Sequence, residues 1–212
     1  MLRKSSVVLV LLLATVAFAA PKLETIGACT DAAVPDAVKK ALAAQGYKVT
    51  LDNGDTLSVW PAAQVKQASK GREDVVYQLT PSQFVGVVHF DKNTKDYRGN
   101  VIAAGTYNLR YEIQPSDGDH LGTAPTVDFL LLVPTAADAD PAASYNFDQM
   151  VGLSRQVTGK KHPAPFNLVP PDAKQYPSVF TDNEAHTILA FKVKSSSGEM
   201  PFALVVNGTT TE

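Results

Sequence analysis

Alternation of apolar and polar residues organises most of this chain, and it is cleanest from Gly105 to Pro134. Tyr107, Leu109, Tyr111 and Ile113 alternate with Asn108, Arg110, Glu112 and Gln114, a period of two that places one set on each face of a half-buried strand. Phe129 to Val133 is apolar at every position and bounded by Pro125 and Pro134, too short for a helix and suited to a strand covered on both faces. A polar loop from Gln114 to Pro125 joins the two and carries Asp117, Asp119 and His120.

The same period recurs along the chain. Tyr47-Lys-Val-Thr-Leu51 and Thr56-Leu-Ser-Val-Trp60 flank Asp52-Asn53-Gly54-Asp55. A two-residue Asn-Gly turn would oppose apolar to polar residues. A three-residue loop, Asp52 to Gly54 with Gly54 left-handed, sets Val49 against Leu57 and Tyr47 against Val59, so side-chain parity predicts the bulged hairpin. Phe84 to Phe90 reads as a strand, with Phe84, Val88 and Phe90 on one side and Val85, Val87 and His89 on the other. Leu189, Phe191 and Val193 run to a turn at Ser196-Ser197-Gly198, and Phe202, Leu204 and Val206 return.

Helical spacing appears twice. Pro35 opens a short segment in which Val34, Val38, Ala41 and Leu42 share a face, with Gly46 as its expected left-handed stop. Asn146 and Gln149 take capping-box positions ahead of Phe147, Met150, Val151 and Val157, and Gly159 ends the pattern. Residues 61–74 read as an exposed connection. Residues 160–177 hold five of the 14 prolines and read as an extended loop tied to the domain. Many short strands with two short helices predict a mainly β fold, an antiparallel β-sandwich of Ig-like or jelly-roll type.

The N-terminus changes the picture. Arg3 and Lys4 precede the apolar run Val7 to Leu13, and Ala17-Phe18-Ala19 offers small residues at minus three and minus one. That is a secretory signal peptide over residues 1–19 followed by a single domain over 20–212, and it predicts an exported protein, periplasmic or extracellular. No other segment is long and apolar enough to span a bilayer. Cys29 is the single cysteine, so no intrachain disulfide forms. Ile26-Gly27-Ala28-Cys29 has the outline of a lipobox, but Lys22 and Glu24 lie where a lipoprotein signal is uncharged, and Cys29 reads better as a partly buried thiol. The net charge of −2, without a basic stripe, argues against nucleic acid as a partner.

Ile102-Ala-Ala-Gly-Thr-Tyr-Asn-Leu109 resembles the turn-and-strand of a family of uncharacterised secreted bacterial β-proteins, of the domain-of-unknown-function type. The likeness continues through Asp117 to Thr123, Asp128 to Leu132 and Gly159 to Pro163. The resemblance implies export and a β fold, and carries no activity.

Candidate chemistry is sparse. Gly152-Leu153-Ser154-Arg155-Gln156 lacks the second glycine of a nucleophile elbow and falls within a helix. Asp91 to Asp96 lacks the glycine of a calcium loop and has Lys95 at its fifth position. His89-Phe90-Asp91 places an imidazole and a carboxylate on one side of a strand end. That spacing supplies two ligands of a facial triad on a jelly roll, with His162 or His186 as third. Asp117, Asp119 and His120 gather oxygen and nitrogen donors beside Gly118 and Gly122, a ligand site or simply a turn. The single Trp60, with Tyr47, Tyr107 and Tyr111, falls on core faces, which disfavours a solvent-facing sugar platform. No cofactor is identifiable. The expectation is a non-catalytic binding or interaction module whose partner is a cell-envelope component or small ligand. The alternative is a metal-dependent enzyme using His89, Asp91 and His162.

Overall fold

The computed structural model describes residues 20–115 and 124–209. Strands run in chain order as β1 (Lys22–Ile26), β2 (Gly46–Thr50), β3 (Thr56–Pro61), β4 (Phe84–Phe90), β5 (Thr94–Lys95), β6 (Val101–Ile102), β7 (Gly105–Ile113), β8 (Asp128–Pro134), β9 (Pro165–Asn167), β10 (Ser178–Thr181), β11 (Thr187–Ser195) and β12 (Gly198–Asn207). Helix α1 (Asp36–Ala41) follows β1, and α2 (Phe147–Thr158) lies between β8 and β9. The expected signal peptide and the trio Asp117, Asp119 and His120 lie outside the described residues.

Seven strands form one antiparallel sheet in the order β1-β2-β3-β4-β7-β8-β9, and β10-β11-β12 form a second. Within the larger sheet the strands follow chain order, skipping only the β5-β6 ladder. Val49, Val59, Leu109 and Leu130 of the first sheet share one core with Leu189, Phe191, Phe202 and Leu204 of the second, and the rings of Tyr47 and Phe191 meet at 5.5 Å across it. A bridge between Leu168 and Leu204 and a parallel one between Val65 and Ser195 tie the sheets at their margins. The fold is therefore mainly β, a sandwich around one apolar layer.

The hairpin register is the one that parity selects. Tyr47 faces Val59 and Val49 faces Leu57, with Gly54 at φ 83°. The capping box at Asn146 and Gln149 forms, and Gly159 closes α2 in the left-handed region. Gly46 does not cap α1, which ends earlier; it opens β2. A Cβ there would lie 2.4 Å from the Trp60 ring, so the glycine makes room for the indole. Residues 61–74 are not a free connection either, since Val65 is buried and bridged to Ser195.

The larger correction concerns β7. Its polar face was expected to meet solvent, yet Asn108, Arg110 and Glu112 are all buried. A short 3-10 turn at Thr135–Ala137 folds the chain after β8 back across that face. Arg110 then makes a two-pronged ion pair with Asp138, with Nε to Oδ2 at 2.8 Å and Nη2 to Oδ1 at 2.6 Å. Its remaining N–H groups donate to the carbonyls of Ser82, Ala143 and Asp140. Tyr145 lies over the guanidinium at 5.3 Å and donates its hydroxyl to Asp138. A buried charge is tolerated only when paired and fully hydrogen-bonded, and this one is.

Beyond that clasp, Met150 of α2 packs on Phe129, Leu131 and Val133, while Leu130 and Leu132 enter the main core. Both faces of β8 are covered, as its unbroken apolar run predicts.

Candidate functional site

His89 and Asp91 do lie side by side at the end of β4. His89 Nε2 is 3.2 Å from Asp91 Oδ1, and His89 Nδ1 is 2.7 Å from the Thr106 hydroxyl, its cross-strand partner on β7. Thr106 in turn donates to Asp31, whose Oδ2 is 3.5 Å from Nδ1. Asp31 is thereby held below the ordinary carboxylate range, first by the Thr106 hydroxyl, then by the Ala33 N–H and by nearby His89 and Lys39, against a smaller opposing effect of burial. Thr56 donates to the far oxygen of Asp91.

Both ring nitrogens of His89 thus face oxygen atoms of neighbouring side chains. The structure does not bring His162 to this pair. Among the described residues no three His, Cys, Asp or Glu side chains gather closely enough to hold an ion. The arrangement fastens the segment around Asp31 to the ends of β4 and β7. His186 is occupied elsewhere, with Nδ1 3.0 Å from Asp182. Ser154 is buried, and its hydroxyl accepts the Ala164 N–H at 2.9 Å. Asp96 accepts from the main-chain N–H groups of Arg98 and Asn100, which makes its segment a turn. Cys29 is a buried free thiol whose pKa burial pushes up, a setting that suppresses reactivity.

His162 instead lines a cleft of about 90 Å³ between α2 and the β9 edge of the large sheet. Its walls are apolar: Phe129 from β8, Phe147 and Val151 one helical turn apart on α2, and Pro165 from β9. Gln114, Pro115 and Ala124, where the loop from Gln114 to Pro125 enters and leaves the described structure, form its rim. Gln114 is held there by its N–H donating to the Val127 carbonyl at 2.8 Å. Arg98 and His162 stand at the edge, both exposed.

Asn167 is the informative residue. Phe166 and Leu168, its neighbours along the chain, enter the main core, so strand alternation turns Asn167 outward into the cleft beside its register partner Phe129. It is 3% exposed, and its carboxamide has no hydrogen-bond partner among the described residues, with Oδ1 shut off from solvent. Buried polar side chains are satisfied in nearly every protein. Gln83, Asn108 and Glu112, outside the cleft, each keep a buried polar atom without a partner as well, so the orphaned Oδ1 does not by itself mark a ligand site. Neither the Arg98 guanidinium nor the His162 ring has an ion-pair or hydrogen-bond partner among the described residues.

A larger open groove of about 610 Å³ lies beside α1 and the β11-β12 hairpin. There Lys192 is taken up by Glu199 at 3.2 Å and by the Tyr176 ring, leaving less to recognise a ligand. Of the cleft's residues, the sequence reading singled out only His162 and the loop ends. Arg98 and Asn167 carried no local signal, because what distinguishes them is a missing partner.

No known protein family, no curated protein and no solved structure matches this chain.

Proposed function

We propose that this chain is an exported, non-catalytic binding module of the cell envelope, and that the cleft between α2 and β9 is where it takes a small ligand or a short segment of a partner. The observation that carries the reading is the apolar cleft itself, with the Arg98 guanidinium and the His162 ring exposed at its edge and without partners among the described residues. A preformed concave site with a few convergent polar groups is the common form of a ligand pocket, although this one suits a side chain or a fragment rather than a large cofactor. Nothing among the described lining residues pairs a nucleophile with a base, which favours recognition over turnover. No helix among the described residues is long and apolar enough to cross a membrane.

The test is a thermal-shift panel of small acids, amines, sugars and peptides on the folded chain, run beside a Val151→Trp variant that fills the cleft. Ligands that raise the melting temperature of the wild type alone, and are recovered unchanged after prolonged incubation, are the expected result. Chemical conversion of a ligand by the wild type and not by Val151→Trp would replace the binding module with an enzyme.

A further inference from the structure

The open groove beside α1 is independent of the cleft between α2 and β9, and it lies where one edge of β11 runs unpaired. β10 pairs with β11 only from Thr187 to Ala190, and pairing on that side resumes at Ser195, which Val65 joins in a parallel bridge. Between these stretches no described strand flanks Phe191 to Lys194. Main-chain groups of alternate strand residues point the same way, and the Lys194 carbonyl accepts the Val65 N–H at 2.9 Å. The same parity lets Pro201, which lacks an N–H, sit opposite Lys192 on β12. Lys192 therefore directs its N–H and C=O, and Lys194 its N–H, into the groove, and none of the three has a main-chain partner among the described residues. The Lys192 side chain is engaged by Glu199 and the Tyr176 ring, whereas the Lys194 ammonium has no partner among the described residues. Tyr47, whose ring meets Phe191, gives the groove an apolar floor with Leu42 and Pro61. None of its lining residues adjoins a segment outside the described residues.

We propose that this groove takes an extended acidic peptide of a partner protein, which adds to β11 as an antiparallel strand in line with β10. In strand addition the main-chain bonds supply affinity and the alternating side chains supply specificity. The gap admits about four residues at roughly 3.3 Å each. A residue opposite Lys192 exchanges both main-chain bonds with it. Positions opposite Phe191 and Val193 turn inward, so their side chains are apolar and rest on Tyr47. Positions opposite Lys192 and Lys194 turn outward, where a carboxylate is attracted to the free Lys194 ammonium. A second copy of this chain fits less well, because pairing this edge with itself about a two-fold axis at Lys192 sets one Lys192 directly against the other, a repulsive cross-strand pair.

Residue-resolved hydrogen exchange on the folded chain tests the open edge first. The Lys192 and Lys194 amides should exchange fast, and those of Phe191 and Val193, which face β12, slowly. A Lys192 amide already protected in dilute solution overturns the proposal, and one protected only at high protein concentration gives the edge to a second copy instead. Calorimetric titration with acetyl-Val-Glu-Val-Glu-Val-amide should then show binding that slows exchange at Lys192. The analogue with Lys in place of both Glu should bind about fivefold more weakly. N-methylation of both Glu nitrogens, which removes the N–H groups facing β11, should cost about tenfold or more. Lys194→Glu, at an exposed position, should reverse the preference between the acidic and basic peptides, while Val151→Trp, which fills the other cleft, should bind as the wild type does. Equal binding of the N-methylated peptide overturns strand addition, and equal binding of the two charge patterns overturns the acidic assignment. Loss of binding in Val151→Trp places the peptide in the α2–β9 cleft and overturns this site. No saturable binding up to about 10 mM overturns the proposal outright and leaves the small-ligand reading of the cleft standing.

Discussion

Arg110 shows what a residue-scale reading of sequence can and cannot reach. Its place on a period-two strand is plain from Tyr107 to Ile113, but whether its face meets water depends on a segment that starts 25 positions later, at Thr135. Glu112, two residues on, shares that fate without sharing the compensation. It is 2% exposed, Oε1 has no partner among the described residues, and burial pushes the carboxyl up to about 7, against the weaker pull of the Ile113 and Ser82 N–H groups. A raised acid pKa means that the unfolded chain releases the proton first. The contribution is intact below the ordinary value of 4.5 and is lost as pH rises toward about 7, at up to about 1.4 kcal/mol per pH unit. Asp31, held low, acts in the opposite sense and only in more acidic solution. Glu112→Gln, of the same shape and never charged, should therefore gain stability relative to wild type at pH 8 compared with pH 5. Denaturant titrations at the two pH values measure this; a difference between the two proteins that does not change with pH would show that the Glu112 carboxyl is solvated after all.

At the scale of elements, the hairpins and α2 were legible because their signals are local. Turn parity, a capping box and a stop glycine lie within a few residues of what they determine. Strands β9 and β10, and the burial of Val65, Tyr77 and Leu79, were not legible. These segments are short and lie among prolines and polar residues, and long-range partners define them: Asp128 accepts the Tyr77 N–H at 2.8 Å, and the Tyr77 hydroxyl donates to Val169 and accepts from Ala203. Gly46 was assigned to the wrong cause for the same reason, since the residue that requires it is Trp60. Gly46→Ala should force the indole off β2, weaken its Nε1 donation to the Gly27 carbonyl, and cost about 1–3 kcal/mol as overpacking usually does. Trp60 is the single tryptophan, so its fluorescence reads the change directly. A red-shifted emission and a lower melting temperature are expected, and an unchanged spectrum with unchanged melting would mean that the contact carries no packing energy.

For the whole molecule, the proposed export would make the start of a mature chain decide whether the cleft faces solution or a membrane surface. Under that proposal the leader pattern would place cleavage after Ala19, and the lipobox outline would place it before Cys29 and attach acyl chains there. The fold bears on the choice. β1 pairs with β2 over all five residues from Lys22 to Ile26, Leu23 packs against the core, and the Gly27 carbonyl accepts from Trp60 at 2.9 Å. A chain beginning at Cys29 loses that strand and leaves β2 as a bare edge, open to pairing with other chains. Cys29 itself is 7% exposed, so its sulfur is poorly placed to carry lipid to a bilayer. Expression of the full chain with its own leader in a bacterial host, followed by intact mass analysis of the envelope fraction, should return a soluble periplasmic species starting at Ala20. A membrane-bound species starting at Cys29 with added acyl mass would make it a lipoprotein whose sandwich is complete without β1, and full-length protein retained in the cytoplasm would remove export from the proposal.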